Sequence, residues 1–251
     1  MNSLSLPLVQ KTPVTSIIAG YEDANDADRL RHDPAFQILA DQPLGEPLGS
    51  QPTLSRWENS PSLRHLVKLQ DALLDWFVKI CGKQVHQRGE ILLDVDSTDD
   101  PTHGQQQLSF FNGAYGQHMY HPLLIFERHT GCLLAARLRP GRVGSHGRIL
   151  PLLLRLVPRL QREFPSVRIP LRADAGFATP LLYEFCEFFG LQYAIGIGNN
   201  VRLQTAAQPL QRRLARRFRR TGQPQRSFSS FRYASVVFLI LCQTEQMTER
   251  V

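Results

Sequence analysis

Residues 91–98 read Ile-Leu-Leu-Asp-Val-Asp-Ser-Thr (ILLDVDST), and residues 167–174 read Val-Arg-Ile-Pro-Leu-Arg-Ala-Asp (VRIPLRAD). Each is a short apolar run that closes on acids. A strand in the middle of a sheet reads as such a run, and its carboxyl end delivers polar groups to the rim of the sheet. The surrounding segments share this grammar. YHPLLIFER (120–128) and CLLAARLR (132–139) are two apolar strand candidates separated by HTG, which predicts an antiparallel hairpin. A helix is expected from about Ser145 to Phe164, with Ile149, Leu153, Leu156, Leu160 and Phe164 on one face and a kink or break at Pro158. Thr179 and Pro180 predict the start of another helix, with Leu181, Leu182, Phe185, Phe188 and Phe189 on its buried side and Gly190 at its end. LQYAIGI (191–197) is a further strand candidate. The order strand, hairpin strands, helix, strand, helix, strand predicts a mixed α/β sheet flanked by helices.

Upstream, residues 1–89 read as a helical segment punctuated by Pro34, Pro43, Pro47, Pro52 and Pro61. Ser62 opens a helix whose apolar face runs through Leu63, Leu66, Val67, Leu69, Leu73, Leu74, Phe77 and Val78 and which is expected to end near Gly82. SQPTLSRWE (50–58) follows a Gly-containing turn. It reads either as the reader helix of a helix-turn-helix or as an ordinary packing helix.

The chain has 251 residues, 42% of them apolar, enough to bury the core of one large domain or one and a half ordinary ones. Its longest apolar run, from Ala234 to Cys242 broken by Ser235, falls short of the ~20 residues that cross a bilayer. The first ten residues lack the charged-then-apolar order of a secretion signal, so a cytoplasmic location and no membrane partner are expected. Cys81, Cys132, Cys186 and Cys242 are scattered without a C-x-x-C pair and read as reduced core residues. The net charge of +7 is concentrated. No acid lies between Glu187 and Glu245, where nine arginines fall; without them the rest of the chain stands at −2. The densest part, QRRLARRFRR (211–220), carries Arg212, Arg213, Arg216, Arg217, Arg219 and Arg220, with Leu210, Leu214 and Phe218 at helical spacing. This predicts an amphipathic helix whose arginines either contact the phosphates of DNA or form a solvated face.

Asp96 and Asp174 stand at the carboxyl ends of two predicted central strands, where open α/β sheets place their sites. Carboxylates from adjacent strands can hold Mg²⁺, and two such ions about 3.5–4 Å apart serve phosphodiester chemistry. Asp94, two residues back on the same strand face, is the rival first ligand. The plainer alternative is that either aspartate caps a following turn. Asp99 and Asp100 read as turn acids, and His103, His118 and His121 lack zinc-ligand spacing and suit a supporting role. Phe110, Phe111 and Tyr115 read as packing residues, with DNA contact as the alternative.

Three stretches carry a family resemblance: residues 92–127 (LLDVDSTDDPTHGQQQLSFFNGAYGQHMYHPLLIFE), 138–156 (LRPGRVGSHGRILPLLLRL) and 169–200 (IPLRADAGFATPLLYEFCEFFGLQYAIGIGNN). Together they resemble the catalytic domain of DDE transposases of the insertion-sequence 1380 family. AGYEDANDADRLRHDPAF (19–36) and SQPTLSRWEN (50–59) resemble the helical segment that precedes it there. The resemblance implies a ribonuclease-H-like core over residues 90–210, a helical and candidate DNA-binding segment over 1–89, and a basic tract with an atypical tail over 211–251. It implies Asp96 and Asp174 as the first two catalytic acids, Mg²⁺ as cofactor, and the terminal inverted repeats of a mobile element as the DNA partner. Self-association, or pairing with an intact transposase, is the further partner expectation. The family's third acid, a glutamate on a helix beyond a β-strand insertion, has no match. Glu245 and Glu249 lie in a tail unlike the family, and residues 1–18 also depart from it. The expectation is therefore a truncated or frame-shifted copy with an incomplete two-metal site: a transposase by descent, or a non-catalytic DNA-binding remnant that interferes with an intact one.

Overall fold

The computed structural model describes residues 6–21, 24–104 and 106–231, the side chains of residues 6–11 and 24 excepted. The apolar run at 234–242, Arg232, Cys242, Glu245 and Glu249 lie outside the described residues. The chain divides into two compact units, Met1–Asp71 and Ala72–Val251.

The first unit is helical: α1 (Leu6–Ile18), α2 (Ala27–Leu30), α3 (Pro34–Leu39), α4 (Gln51–Glu58) and the start of α5 (Leu63–Arg88). Asp33 starts α3 because its carboxylate accepts the Ala35 N–H at 2.8 Å, leaving Pro34 at the first helical position where no donor is needed. Two small apolar clusters hold these helices, one of Leu30, Phe36, Ala40 and Leu48 with Tyr21 against it, the other of Ala27 and Leu54 with Trp57.

α5 runs past the expected stop at Gly82 as far as Arg88. Gly82 is a buried residue inside the helix that faces the Phe164 ring, and Gly89, at φ +71°, ends the helix in the left-handed conformation. The division between the two compact units falls inside α5. Leu74, Phe77, Cys81 and Val85 enter the core of the second unit, whereas Leu63, Leu66 and Leu69, expected on the buried face, are exposed.

That second unit is built on a five-stranded mixed sheet in the order β6-β5-β1-β7-β8. Its strands are β1 (Leu93–Ser97), β5 (Leu123–Glu127), β6 (Leu133–Arg137), β7 (Leu171–Ala173) and β8 (Tyr193–Ile195). β5 is antiparallel to both β1 and β6, while β1, β7 and β8 run parallel, which is the ribonuclease-H-like arrangement. Parallel neighbours need crossover helices, and α6 (Ile149–Glu163) and α7 (Pro180–Phe188) supply them. Alternation sends Leu93, Val95, Leu123, Ile125, Leu171 and Ala173 into one core with α5, α6 and α7. Asp94, Asp96 and Arg172 fall on the opposite parity.

α6 begins at Ile149, four residues later than expected, because residues 141–148 form a loop that ends on Arg148 at φ +63°. Pro158 neither breaks nor ends it. The carbonyl left without a donor is that of Leu154, on the exposed side of the helix, where water can satisfy it. In α7 the buried face is Leu182, Tyr183, Phe185 and Cys186, while Leu181 and Phe188, expected inside, are exposed. Thr179 occupies the N-cap position without a side-chain bond. The stretch between β1 and β5 holds a second sheet that the sequence reading missed: β2 (Asp100–Pro101), β3 (Phe110–Asn112) and β4 (Gln117–Tyr120) in the order β2-β4-β3. The Asn112-Gly113 pair was the available signal. Phe111 and Tyr115, read as packing residues, are exposed there. The basic tract is the second half of α8 (Val201–Thr221), so its helix begins ahead of residue 211.

Candidate active site

β1 and β7 pair in parallel register, Leu93 with Leu171, Asp94 with Arg172 and Val95 with Ala173. Asp96 and Asp174 are each the residue that follows the last pair. The two acids therefore leave the same end of two adjacent strands, the separation the sequence hid being 78 residues. Both are exposed. One oxygen of each is engaged by backbone: Asp96 Oδ1 accepts the Ser97 N–H at 2.8 Å, and Asp174 Oδ1 accepts the Gly176 N–H at 2.8 Å. The second bond caps the 3₁₀ turn Ala175–Phe177, so the turn-capping alternative describes half of the Asp174 carboxylate. Among the described residues, Oδ2 of each acid has no partner. An ionised carboxylate with an open oxygen is a hard acceptor of the kind Mg²⁺ takes. The pair fits a divalent cation in that respect, and no group of three or more acidic, histidine or cysteine side chains placed to hold a metal occurs among the described residues.

Asp94 is differently placed. The Arg172 guanidinium lies opposite it and grips both carboxylate oxygens, Nε to Oδ1 at 2.8 Å and Nη2 to Oδ2. This bond holds the Arg172 guanidinium above its ordinary range, against the smaller effect of burial. A carboxylate so occupied has little to offer a metal. Glu127 stands at the other end of β1, opposite Leu93, and is buried with Thr130 on it.

Ser145 also belongs to this region, which the sequence reading missed by placing it in a helix. Its hydroxyl accepts from Ser97 Oγ at 3.1 Å, beside Asp96. On the other side it approaches Gly176, where a Cβ would lie 2.8 Å from Ser145 Oγ and 3.1 Å from Asp174 Oδ1. The loop that carries Ser145 is organised by Arg139, of which only 1% is exposed. Burial, with the Arg137 charge nearby, pulls the Arg139 guanidinium down to about 10, so it stays charged at neutral pH. It donates to the carbonyls of His121 (2.7 Å), Ser145 (2.7 Å), Gly147 (2.8 Å) and Gly144 (3.3 Å). His121 joins the same loop, its Nδ1 being 2.7 Å from the Val143 carbonyl oxygen, a supporting role of the kind expected for it. His118 packs edge-on to Phe111, and His103 is exposed.

The acids stand on an open surface. One cleft of about 380 Å³ runs along α8 and another of about 400 Å³ lies by Phe164 and Leu191, and neither includes Asp96 or Asp174. Arg212, Arg213, Arg216, Arg217, Arg219 and Arg220 are all exposed on α8, with Leu214 buried on its other face. Among the described residues none of the six faces a carboxylate. No helix of the described residues is long and apolar enough to cross a membrane.

These features define a ribonuclease-H-like α/β domain with two acids at the carboxyl ends of its central strands. The chain belongs to the family described as transposase DDE domain, group 1, whose sequence pattern matches residues 6–237. A comparison with curated proteins gave no match. Among solved structures, similarity extends to the piggyBac transposase synaptic complex with hairpin DNA, at 16% identity and TM-score 0.34 over 61% of this chain and 34% of that one. It extends also to the Mos1 mariner paired end complex with Mn, at 12% identity and TM-score 0.30 over 67% of this chain and 55% of that one. The Mos1 strand transfer complex follows at 11% identity and TM-score 0.28, over 68% and 57%. The chain thus spans between about a third and somewhat over half of the length of these proteins.

Proposed function

We propose that this chain is a transposase of an insertion sequence, of the 1380 family that its motifs resemble, acting on the terminal inverted repeats of its element by Mg²⁺-dependent phosphodiester cleavage and strand transfer. The observation that carries the reading is the parallel register of β1 and β7, which brings Asp96 and Asp174 to one strand end with an open oxygen on each. Asp96 and Asp174 would hold the cation, which when bound supplies charge neutralisation and an activated hydroxyl nucleophile. The chain's own residues hold that site in place. Ser97 N–H and Gly176 N–H fix the two carboxylates, and Arg172 keeps Asp94 out of competition. Residues 1–89 serve as the helical segment with α4 a candidate DNA reader, residues 90–210 as the catalytic core, and the tract from 211 onward as a phosphate-binding surface. Six exposed arginines on one helix, none of them facing a carboxylate among the described residues, suit a polyanion.

A second reading is a chain that occupies element ends, or pairs with an intact transposase, without cutting. The arginine helix favours it, because α8 binds phosphates whether or not the acids hold metal. The two readings separate on one experiment: incubation of the purified chain with Mg²⁺ or Mn²⁺ and a duplex bearing the terminal repeats. Nicked or joined products that vanish with Asp96→Ala support the first. Retention of the duplex without any product, at metal concentrations that load the site, supports the second.

A further inference from the structure

We propose that the Ser145 hydroxyl, oriented by the bond it accepts from Ser97, is a contact for a phosphodiester oxygen beside Asp96 and Asp174, with Arg139 as the positioning residue that holds Ser145 there. The inference rests on the metal-site reading above and names two groups which that reading leaves without a task.

Ser97 Oγ donates to Ser145 Oγ, so the Ser145 proton remains available; among the described residues no acceptor meets it. Both serines are half-buried. Ser145 sits beside a neighbour of each acid, Ser97 next to Asp96 and Gly176 capping Asp174. Gly176 keeps the space open, since a Cβ there would lie 2.8 Å from Ser145 Oγ and 3.1 Å from Asp174 Oδ1. Two bare carboxylates repel a phosphodiester. A neutral hydroxyl donor between them accepts its negative oxygen and adds no further charge, which is how serine and threonine commonly touch phosphate.

The placement of Ser145 is not a by-product of regular structure. Residues 141–148 lie in neither helix nor strand, and their carbonyls converge on the guanidinium of Arg139. A buried guanidinium whose partners among the described residues are all carbonyls is costly to keep, and its five donors are suited to fixing several backbone oxygens at once. What Arg139 fixes is the loop that presents Ser145.

The test uses the full chain, Mn²⁺ followed by electron paramagnetic resonance, and the dinucleotide TpT, whose ³¹P relaxation reports the distance of its phosphate from bound Mn²⁺. Ser145→Ala is expected to leave the Mn²⁺ affinity and the melting temperature unchanged while weakening TpT binding about tenfold, the loss of one hydrogen bond to a charged oxygen. Ser145→Thr restores it. Arg139→Lys, which keeps the charge and loses the fork, is expected to reproduce the alanine phenotype. TpT relaxation in Ser145→Ala equal to that of the unaltered chain would overturn the inference alone. A parallel loss of Mn²⁺ affinity in Ser145→Ala would overturn it too, by moving the hydroxyl to the metal. Failure of the unaltered chain to bind Mn²⁺ would remove the two-carboxylate reading and the phosphate contact with it.

Discussion

Arg172 holds Asp94 across the β1/β7 pair, two register steps before the positions from which Asp96 and Asp174 project. Two acids of one strand face are thereby separated in function: one is closed by a two-pronged ion pair, the other left with an open oxygen. Asp94→Asn is therefore expected to change Mn²⁺ affinity less than about threefold, because the carboxylate it alters is already occupied by Arg172. Asp96→Asn and Asp174→Asn should each lower the affinity by roughly tenfold or more, as changes in a ligand shell do. Isothermal titration of the three variants checks this, and a larger loss in Asp94→Asn than in Asp96→Asn would reverse the assignment.

The arginines of α8 predict a salt dependence. Each phosphate contact contributes a slope of about −0.9 to the log–log plot of affinity against salt. Changing Arg212, Arg213, Arg216 and Arg217 to alanine should flatten that slope by up to about 3–4 units, measured by fluorescence anisotropy on a duplex of arbitrary sequence. An unaltered slope would make the exposed face of α8 a solubilising surface.

Cys186 predicts an alkaline limit. Burial, and after it the Glu187 charge, pushes the Cys186 thiol from 9.0 up to about 12. An acid whose folded-state value is raised favours the fold while it is neutral. That contribution is complete below pH 9 and is lost between pH 9 and about 12, at about 1.4 kcal/mol per pH unit. Cys186→Ala should thus melt lower than the unaltered chain at pH 7, and the difference should narrow between pH 9 and 10.5. A constant difference across that interval would contradict the linkage.

Gly141 predicts a steric one. A Cβ there would fall 2.1 Å from the Met119 carbonyl oxygen and 2.5 Å from that of Phe110, both backbone atoms that cannot step aside. Gly141→Ala is expected to cost about 1–3 kcal/mol, as overpacking does. Gly113→Ala, which meets nothing within 4 Å, should cost far less. Urea denaturation of the two variants provides the comparison.

Asp96 and Asp174 were legible in the sequence because a short apolar run that closes on an acid is a local pattern, and both strands form where that pattern lies. The hairpin of β5 and β6 was legible for the same reason. Arg172 was not, since its pairing with Asp94 depends on which strands become neighbours. Ser145 was hidden further still: residues 145–148 are polar and carry no periodicity that fixes where α6 starts, and the guanidinium that binds the carbonyls of Ser145 and Gly147 comes from Arg139, outside that stretch. The second sheet escaped because β2, β3 and β4 are two, three and four residues long, too short for alternation to register. In α7, a broad apolar face that leaves only the Glu184 and Glu187 side polar did not settle its own buried part by spacing alone, and packing chose Leu182, Phe185 and Cys186 over Leu181 and Phe188.

The adjacency of β1 and β7 also governs when the site comes into being. A nascent chain that has displayed Asp96 must grow by 78 residues before Asp174 is made, about 4–16 s at ordinary rates of synthesis. During that interval β7, the parallel neighbour of β1, has not yet been made. Contacts of such long sequence separation cost more loop-closure entropy than local ones. A polypeptide still on the ribosome therefore carries the first acid without its companion, and the pairing of the two acids becomes a property of the finished fold.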